Sequence, residues 1–152
     1  MSNARSFTTF LVDGLLFGVP AEEVLELTRQ RELTRVPLAP PMVEGLMNLR
    51  GQLVTAIDLR RRLGLRPRPA GQPPVNVVLL TEEGTVSLLV DQIGEVLELG
   101  EDCFEPAPET VRGVAHELVQ GVYKLPGRLL LILDPRRIIE IATSLGPTPQ
   151  NP

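Results

Sequence analysis

Side chains able to do chemistry are few and scattered. The chain holds one histidine, His116, and one cysteine, Cys103. A nucleophilic pair built on them would need a third, orienting group, and no motif flanks either residue. One His and one Cys also fall short of a usual zinc set. Carboxylates gather at Glu22, Glu23 and Glu26, and again at Asp102, Glu105 and Glu109. Such groups act as acid and base only where burial raises one of their pKa values. Solvated faces are the expectation here. Neither a Walker-type phosphate loop nor a dinucleotide fingerprint is present. The sequence therefore predicts no catalytic residue, no metal and no cofactor.

Basic residues carry more information. Arg60, Arg61 and Arg62 follow a helix-capping aspartate and are expected on a solvated face near the helix's negative end. Arg50 stands alone at a tight turn. Its planar fork of donors suits carboxylates and backbone carbonyls of a partner. The same residue would also serve to keep a hairpin soluble or to tie down a neighbouring loop.

The elements that hold these residues repeat. Residues 43–61, VEGLMNLRGQLVTAIDLRR, return as residues 119–137, VQGVYKLPGRLLLILDPRR, at an offset of 76 and without a gap. Upstream, Glu23-Val24-Leu25-Glu26-Leu27 returns as Glu95-Val96-Leu97-Glu98-Leu99 at an offset of 72. Two ordered blocks predict two copies of one structural unit. Positions kept in both copies are what the fold needs. Arg50 against Pro126 is the sharpest difference. Leu and Gly bracket both positions, which predicts a shared turn geometry.

Each copy reads as about five short strands and a short helix. Asp13-Gly14 marks a two-residue hairpin between Phe7–Val12 and Leu15–Val19. Val24 to Thr28 is a strand, and prolines at 37, 40 and 41 hold a loop. Leu46–Leu49 and Leu53–Ile57 form a hairpin about Arg50-Gly51-Gln52. Asp58 caps a helix over 59–63, which Gly64 ends. Residues 66–74, RPRPAGQPP, read as a linker or exposed loop. The second copy runs through strands at 75–80, 86–90, 95–99, 121–125 and 129–133. Asp134 caps a last helix to about Ala142, and 143–152 read as a disordered tail. Frequent turns and short strands predict antiparallel barrels, and the repeat predicts two. Lobe 1 is expected over about 15–65 and lobe 2 over about 75–134, with terminal segments packing across. A groove between lobes would be a natural binding site.

Composition narrows the classes of function. The chain has 152 residues and a formal charge of −4, with 3% aromatic residues and no Trp. Scarce aromatic faces and a negative balance argue against nucleic-acid binding. No apolar run is long enough to span a bilayer, and no signal-peptide core opens the sequence. A lone Cys fits a reducing compartment. A cytoplasmic protein is expected.

Asn48-Leu49-Arg50-Gly51 followed by Ile57-Asp58-Leu59-Arg60 resembles the signature of CheW-type chemotaxis coupling proteins. Phe17-Gly18-Val19, Val24-x-Glu26, Thr34-Arg35-Val36-Pro37 and Gly45-Leu46 are similar to that family in the first half. Leu89-Val90-Asp91, Glu95-Val96-Leu97, Gly121-Val122 and Leu131-Ile132-Leu133-Asp134 extend the resemblance, which covers about residues 6–141. It implies a mainly β fold of two SH3-like five-stranded barrels with short helices. It implies a non-enzymatic cytoplasmic adaptor at receptor arrays beneath the inner membrane. Its partners would be a chemoreceptor's cytoplasmic tip, seated between the barrels, and the regulatory domain of a CheA-type histidine kinase. Glu26 and Arg50 match receptor-coupling positions, and Val24 and Gly45 match kinase-contact positions. The internal repeat also keeps Val24 and Gly45, which favours structural roles for both. Pro20 and the Pro-rich 66–74 depart from the family's usual pattern. No receiver domain or kinase segment accompanies the match, so a stand-alone scaffold is expected. A paralogue serving another chemosensory pathway, or a small β-barrel binding protein or enzyme using the groove, are the alternatives.

Overall fold

A computed structural model describes residues 4–29, 32–82, 84–107 and 117–139. His116, Glu109 and the expected tail at 143–152 lie outside them. Strands β1 (Ala4–Val12) and β2 (Leu15–Pro20) form the first hairpin, with both turn residues at positive φ, Asp13 at 51° and Gly14 at 79°. That is the type I′ turn that Asp-Gly favours. A 3-10 turn over Ala21–Glu23 leads into β3 (Val24–Arg29). Next come β4 (Val43–Leu49), β5 (Gln52–Asp58) and the short helix α1 (Leu59–Arg62). The Asp58 carboxylate accepts from the amide of Arg60 at 3.1 Å, as a helix cap should. The second copy supplies β6 (Val75–Thr81), β7 (Gly84–Val90), β8 (Gln92–Gly100), the short β9 (Glu105–Pro106), β10 (Val119–Leu125) and β11 (Arg128–Leu133). Residues 135–139 are helical.

The two copies exchange their hairpins. One sheet runs β8-β1-β2-β11-β10-β9, and the other runs β3-β6-β7-β5-β4. Hairpin β1–β2 of the first copy therefore joins the strands of the second, and hairpin β6–β7 joins the strands of the first. Each junction is parallel, with Phe17 opposite Leu131 and Ile57 opposite Leu88. The expected lobe limits of 15–65 and 75–134 are corrected accordingly: residues 15–20 belong to the second sheet-set and 75–90 to the first. Local periodicity marks strands but carries no label for the partner, so a repeat in sequence need not be a repeat in space.

Exchange buries the hairpins on both faces. Phe10, Val12, Phe17 and Val19 meet Ile57, Val77, Leu79, Leu88 and Val90 in a core shared by both sheets. Smaller cores fill each barrel. Phe7, Leu16, Tyr123, Leu130 and Ile132 fill one, and Met47, Leu49, Val54 and Val78 fill the other. The space between lobes is thus largely packed, and only its rim is open.

Both barrels close in the same way. After β3 the chain crosses β4, where Thr34 and Leu46 exchange two backbone bonds of 2.8 Å each. After β8 it crosses β10, where Glu105 and Pro106 stand opposite Val122 and Gly121. A glycine lies under each crossing. A Cβ on Gly45 would stand 2.7 Å from the carbonyl oxygen of Thr34, and one on Gly121 would collide with the Glu105 carbonyl and the Phe104 ring.

Candidate functional site

The site is built on two edge strands, β3 and β8. Each carries a bulge, at Leu25 and at Gly94-Glu95, that turns residues on either side to one face. Val24 and Leu27 of β3 stand opposite Leu79 and Val77, and Ile93 and Val96 of β8 stand opposite Phe10 and Thr8. Directly opposed residues share a face, so all four side chains look toward the shared core. Leu27 is 44% exposed and Val96 61% exposed. Leu27 forms an apolar rim of an opening beside the core, and Val96 stands exposed farther along β8. Between Leu27 and Ile93 the opening is a groove of about 550 Å³. Asn76 steadies its edge: the amide donates to the Arg29 carbonyl at 3.1 Å while its oxygen accepts from the Ser87 hydroxyl at 3.0 Å.

The structure brings Glu26 and Arg50 together. Glu26 stands opposite Val78, on the barrel face of β3, and its carboxylate lies 2.7 Å from the Arg50 guanidinium. The pair links the two edges of one sheet, β3 and the β4–β5 turn. Arg50 has φ of 53° and Gly51 of 87°, a type I′ turn, with the Asn48 side chain accepting from the Gly51 amide at 2.9 Å. At the matching turn only Gly127 is at positive φ, 79°. Proline's ring holds φ negative, which makes that turn type II. The expectation of one shared turn geometry is overturned: Arg50 occupies a backbone region that Pro126 cannot enter.

Val24 and Gly45 are not brought together at the surface. Val24 is half-buried and packs on the shared core. Gly45 is buried beneath the Thr34 crossing.

Sequence reasoning missed a second constellation. Arg60 was expected in solvent, yet its side chain is 6% exposed. Its guanidinium forks onto Asp91 at 3.0 and 2.6 Å and donates to the carbonyls of Arg66 at 2.9 Å and Pro67 at 3.1 Å. Asp91 also accepts from the Asp13 amide at 2.8 Å. Burial by itself would raise the Asp91 pKa, but the Arg60 fork, the Asp13 amide and the nearby Arg60 and Arg68 charges outweigh it and hold it below 3.8. The Arg66 hydrogen bond does the same for Asp13. In return, Asp91 raises the pKa of Arg60. Arg62 is buried too, with Glu117 4.0 Å away, and desolvation lowers its pKa. Of the run, only Arg61 meets the expectation of exposure. The missed signal was Asp91 itself, an acid at the end of an apolar strand with its partner 31 residues away.

Among the described residues no group of His, Cys, Asp and Glu could hold a metal ion. No helix among them is long and apolar enough to cross a membrane.

The family model of the CheW-like domain matches residues 6–143. The chain belongs to the CheW-like family. It is similar to the chemotaxis protein CheW of Bacillus subtilis, with 28% identity over 98% of this chain and 96% of that protein. It is also similar to CheW of Klebsiella aerogenes, with 28% identity over 89% of this chain and 81% of that one. Among solved structures, the scaffolding protein TtCheW of Thermoanaerobacter tengcongensis superposes with a TM-score of 0.78 at 26% identity, covering 88% of this chain and 90% of that one. The architecture is accordingly the CheW-like pair of SH3-like lobes, and the protein is a chemotaxis-type scaffold without enzymatic activity.

Proposed function

We propose that this CheW-like scaffold works in the cytoplasm, beneath the inner membrane, and joins a chemoreceptor's cytoplasmic tip to the regulatory domain of a CheA-type histidine kinase. The observation that carries the reading is the groove between Leu27 and Ile93, with Leu27 exposed at its rim above the shared core. An amphipathic helix lays its ridge into such a groove. Glu26 and Arg50 serve the receptor side: the ion pair sets the spacing between β3 and the β4–β5 turn, and the 74% exposed Arg50 still offers donors to a partner. Val24 and Gly45 serve the kinase side indirectly. Gly45 admits the crossing at Thr34 and so fixes the path of the 34–41 loop, while Val24 seats the start of β3.

Calorimetric titration tests the reading. The full chain is titrated with a receptor tip hairpin, and separately with the kinase regulatory domain, both from the same source. Saturable binding to each is expected. Leu27→Asp should weaken the receptor arm roughly tenfold or more, since a charge would be buried among apolar groups, and leave the kinase arm intact. Binding to neither partner by a folded chain would sink the proposal.

A further inference from the structure

The Pro-rich stretch 66–74 has no counterpart in the repeat, and the fold does not use it for sheet or core. It is nevertheless held down. Arg60 grips its first two carbonyls, Arg66 reaches Asp13 at 2.8 Å, and Arg68 lies 3.5 Å from Asp58 and 3.7 Å from Asp91. Farther on, the Gln72 amide donates to the Pro69 carbonyl at 3.4 Å, and Gly71 sits at φ 88°. This is a tight turn with glycine at the left-handed position. It lays Gln72 and Pro73 against the end of the groove. There a second chamber of about 460 Å³ opens, lined by Gly71 and Gln72. Pro73, Asp91 and Gln92 line both chambers, so the two adjoin.

We infer that segment 66–74 is a clamped strap that forms the specificity wall of this groove, with Gln72 and Gln92 as the selecting residues and Arg60 and Asp91 as positioning residues. The inference rests on the receptor-groove reading above. Prolines at 67, 69, 73 and 74 keep the strap from pairing as a strand, so it stays a wall with a fixed path. Asp91 is already engaged by Arg60 and the Asp13 amide, and Arg29 lines only the first chamber, so the other polar side chains of the second chamber are the two amides of Gln72 and Gln92. An amide both donates and accepts and carries no net charge. The strap thus favours a receptor tip whose apolar ridge ends in an uncharged polar side chain seated in the second chamber, and disfavours a carboxylate or ammonium group there, where no cation lines the wall and Asp91 is already paired.

The test is a panel of receptor tip hairpins that differ in the residue after the apolar ridge: Asn, Ser, Glu or Lys. Each is titrated into the full chain, with the kinase regulatory domain as a control. The wild type should prefer the Asn and Ser tips. Gln72→Ala with Gln92→Ala should lower affinity for those tips roughly tenfold, the loss expected for two interface hydrogen bonds, and flatten the ranking, with melting temperature and kinase binding unchanged. Arg60→Lys keeps the charge but not the fork, and should flatten the ranking in the same direction. An unchanged ranking in the double variant overturns the strap's role while the groove reading stands. If Arg60→Lys lowers the melting temperature and leaves the ranking alone, the positioning role falls. A wild type that binds no tip but still binds the kinase domain overturns both the groove reading and the inference.

Discussion

Asp58-Leu59-Arg60-Arg61-Arg62 and Asp134-Pro135-Arg136-Arg137-Ile138 occupy matching places, and their fates differ. Both aspartates cap a helix, and both donate a backbone N–H bond of 2.8 Å, to the Met42 carbonyl in one copy and the Leu118 carbonyl in the other. Arg61 and Arg137 also match, each donating to a carbonyl, that of Pro41 at 3.1 Å and that of Glu117 at 3.0 Å. Arg60 is buried in a network that spans both sheets, whereas Arg136 is exposed and lies 4.0 Å from Glu82. Arg62 is a buried cation where the second copy places Ile138 in the shared core. Identical letters at matching positions share a backbone role. The role of the side chain is set by what the rest of the chain places opposite.

The largest expected effect breaks the match at Arg60. Arg60→Ala should cost about 3 kcal/mol in urea unfolding, because Asp91 is left half-buried without its hydrogen-bonded counter-charge and with only the more distant Arg68. Arg136→Ala should stay within about 0.5 kcal/mol. Acid sharpens the same contrast. The folded pKa of Asp91 lies below its unfolded value, so its contribution is complete above about pH 4 and is lost as pH falls through the folded value. In Asp91→Asn, stability between about pH 5 and pH 3 should fall less steeply than in the wild type. A parallel pair of acid titration curves would remove Asp91 from the account.

Next come the two crossings. Gly45→Ala and Gly121→Ala should each cost about 2 kcal/mol, since the added methyl meets backbone that cannot withdraw. A cost at one site and not the other, measured by thermal unfolding, would show that the two closures are not equivalent. Arg62→Met should raise stability by about 1 kcal/mol, because an apolar chain of similar reach replaces a desolvated cation with a distant partner. A drop in melting temperature would mean that the Glu117 contact outweighs desolvation. The smallest effect is at the turns. Arg50→Asn should be about 1 kcal/mol more stable than Arg50→Ala, since both lose the Glu26 pair and only Asn tolerates positive φ. The same two substitutions at Pro126 should not differ in this way.

Local features were legible in the sequence because their causes are local. Asp13-Gly14 specifies its turn, Asp58 its cap and Gly64 the end of its helix. The repeat announced two barrels. It could not announce the exchange of hairpins, since β2 and β7 look the same to a periodicity argument whichever neighbour they take. Glu26 and Arg50 were matched to one role by the resemblance, but their contact follows only from the curl of one sheet. Arg60 was misplaced for a related reason. A three-arginine run reads as solvated unless one sees Asp91 and the carbonyls of Arg66 and Pro67 arriving from elsewhere.

Hairpin exchange also has a temporal side. During synthesis, β1 and β2 emerge first, but β1 must await β8 at Phe7 opposite Leu97, and β2 must await β11 at Phe17 opposite Leu131. The barrel of β3 to β7 has all its strands once Val90 is made, whereas the other cannot close until β10 and β11 emerge in the final quarter. Contacts so distant along the chain slow folding, because the loop between them must close before they contribute. The lobe that begins first along the chain is thus the last to be completed, and a ribosome that stalls just past α1 holds no finished half.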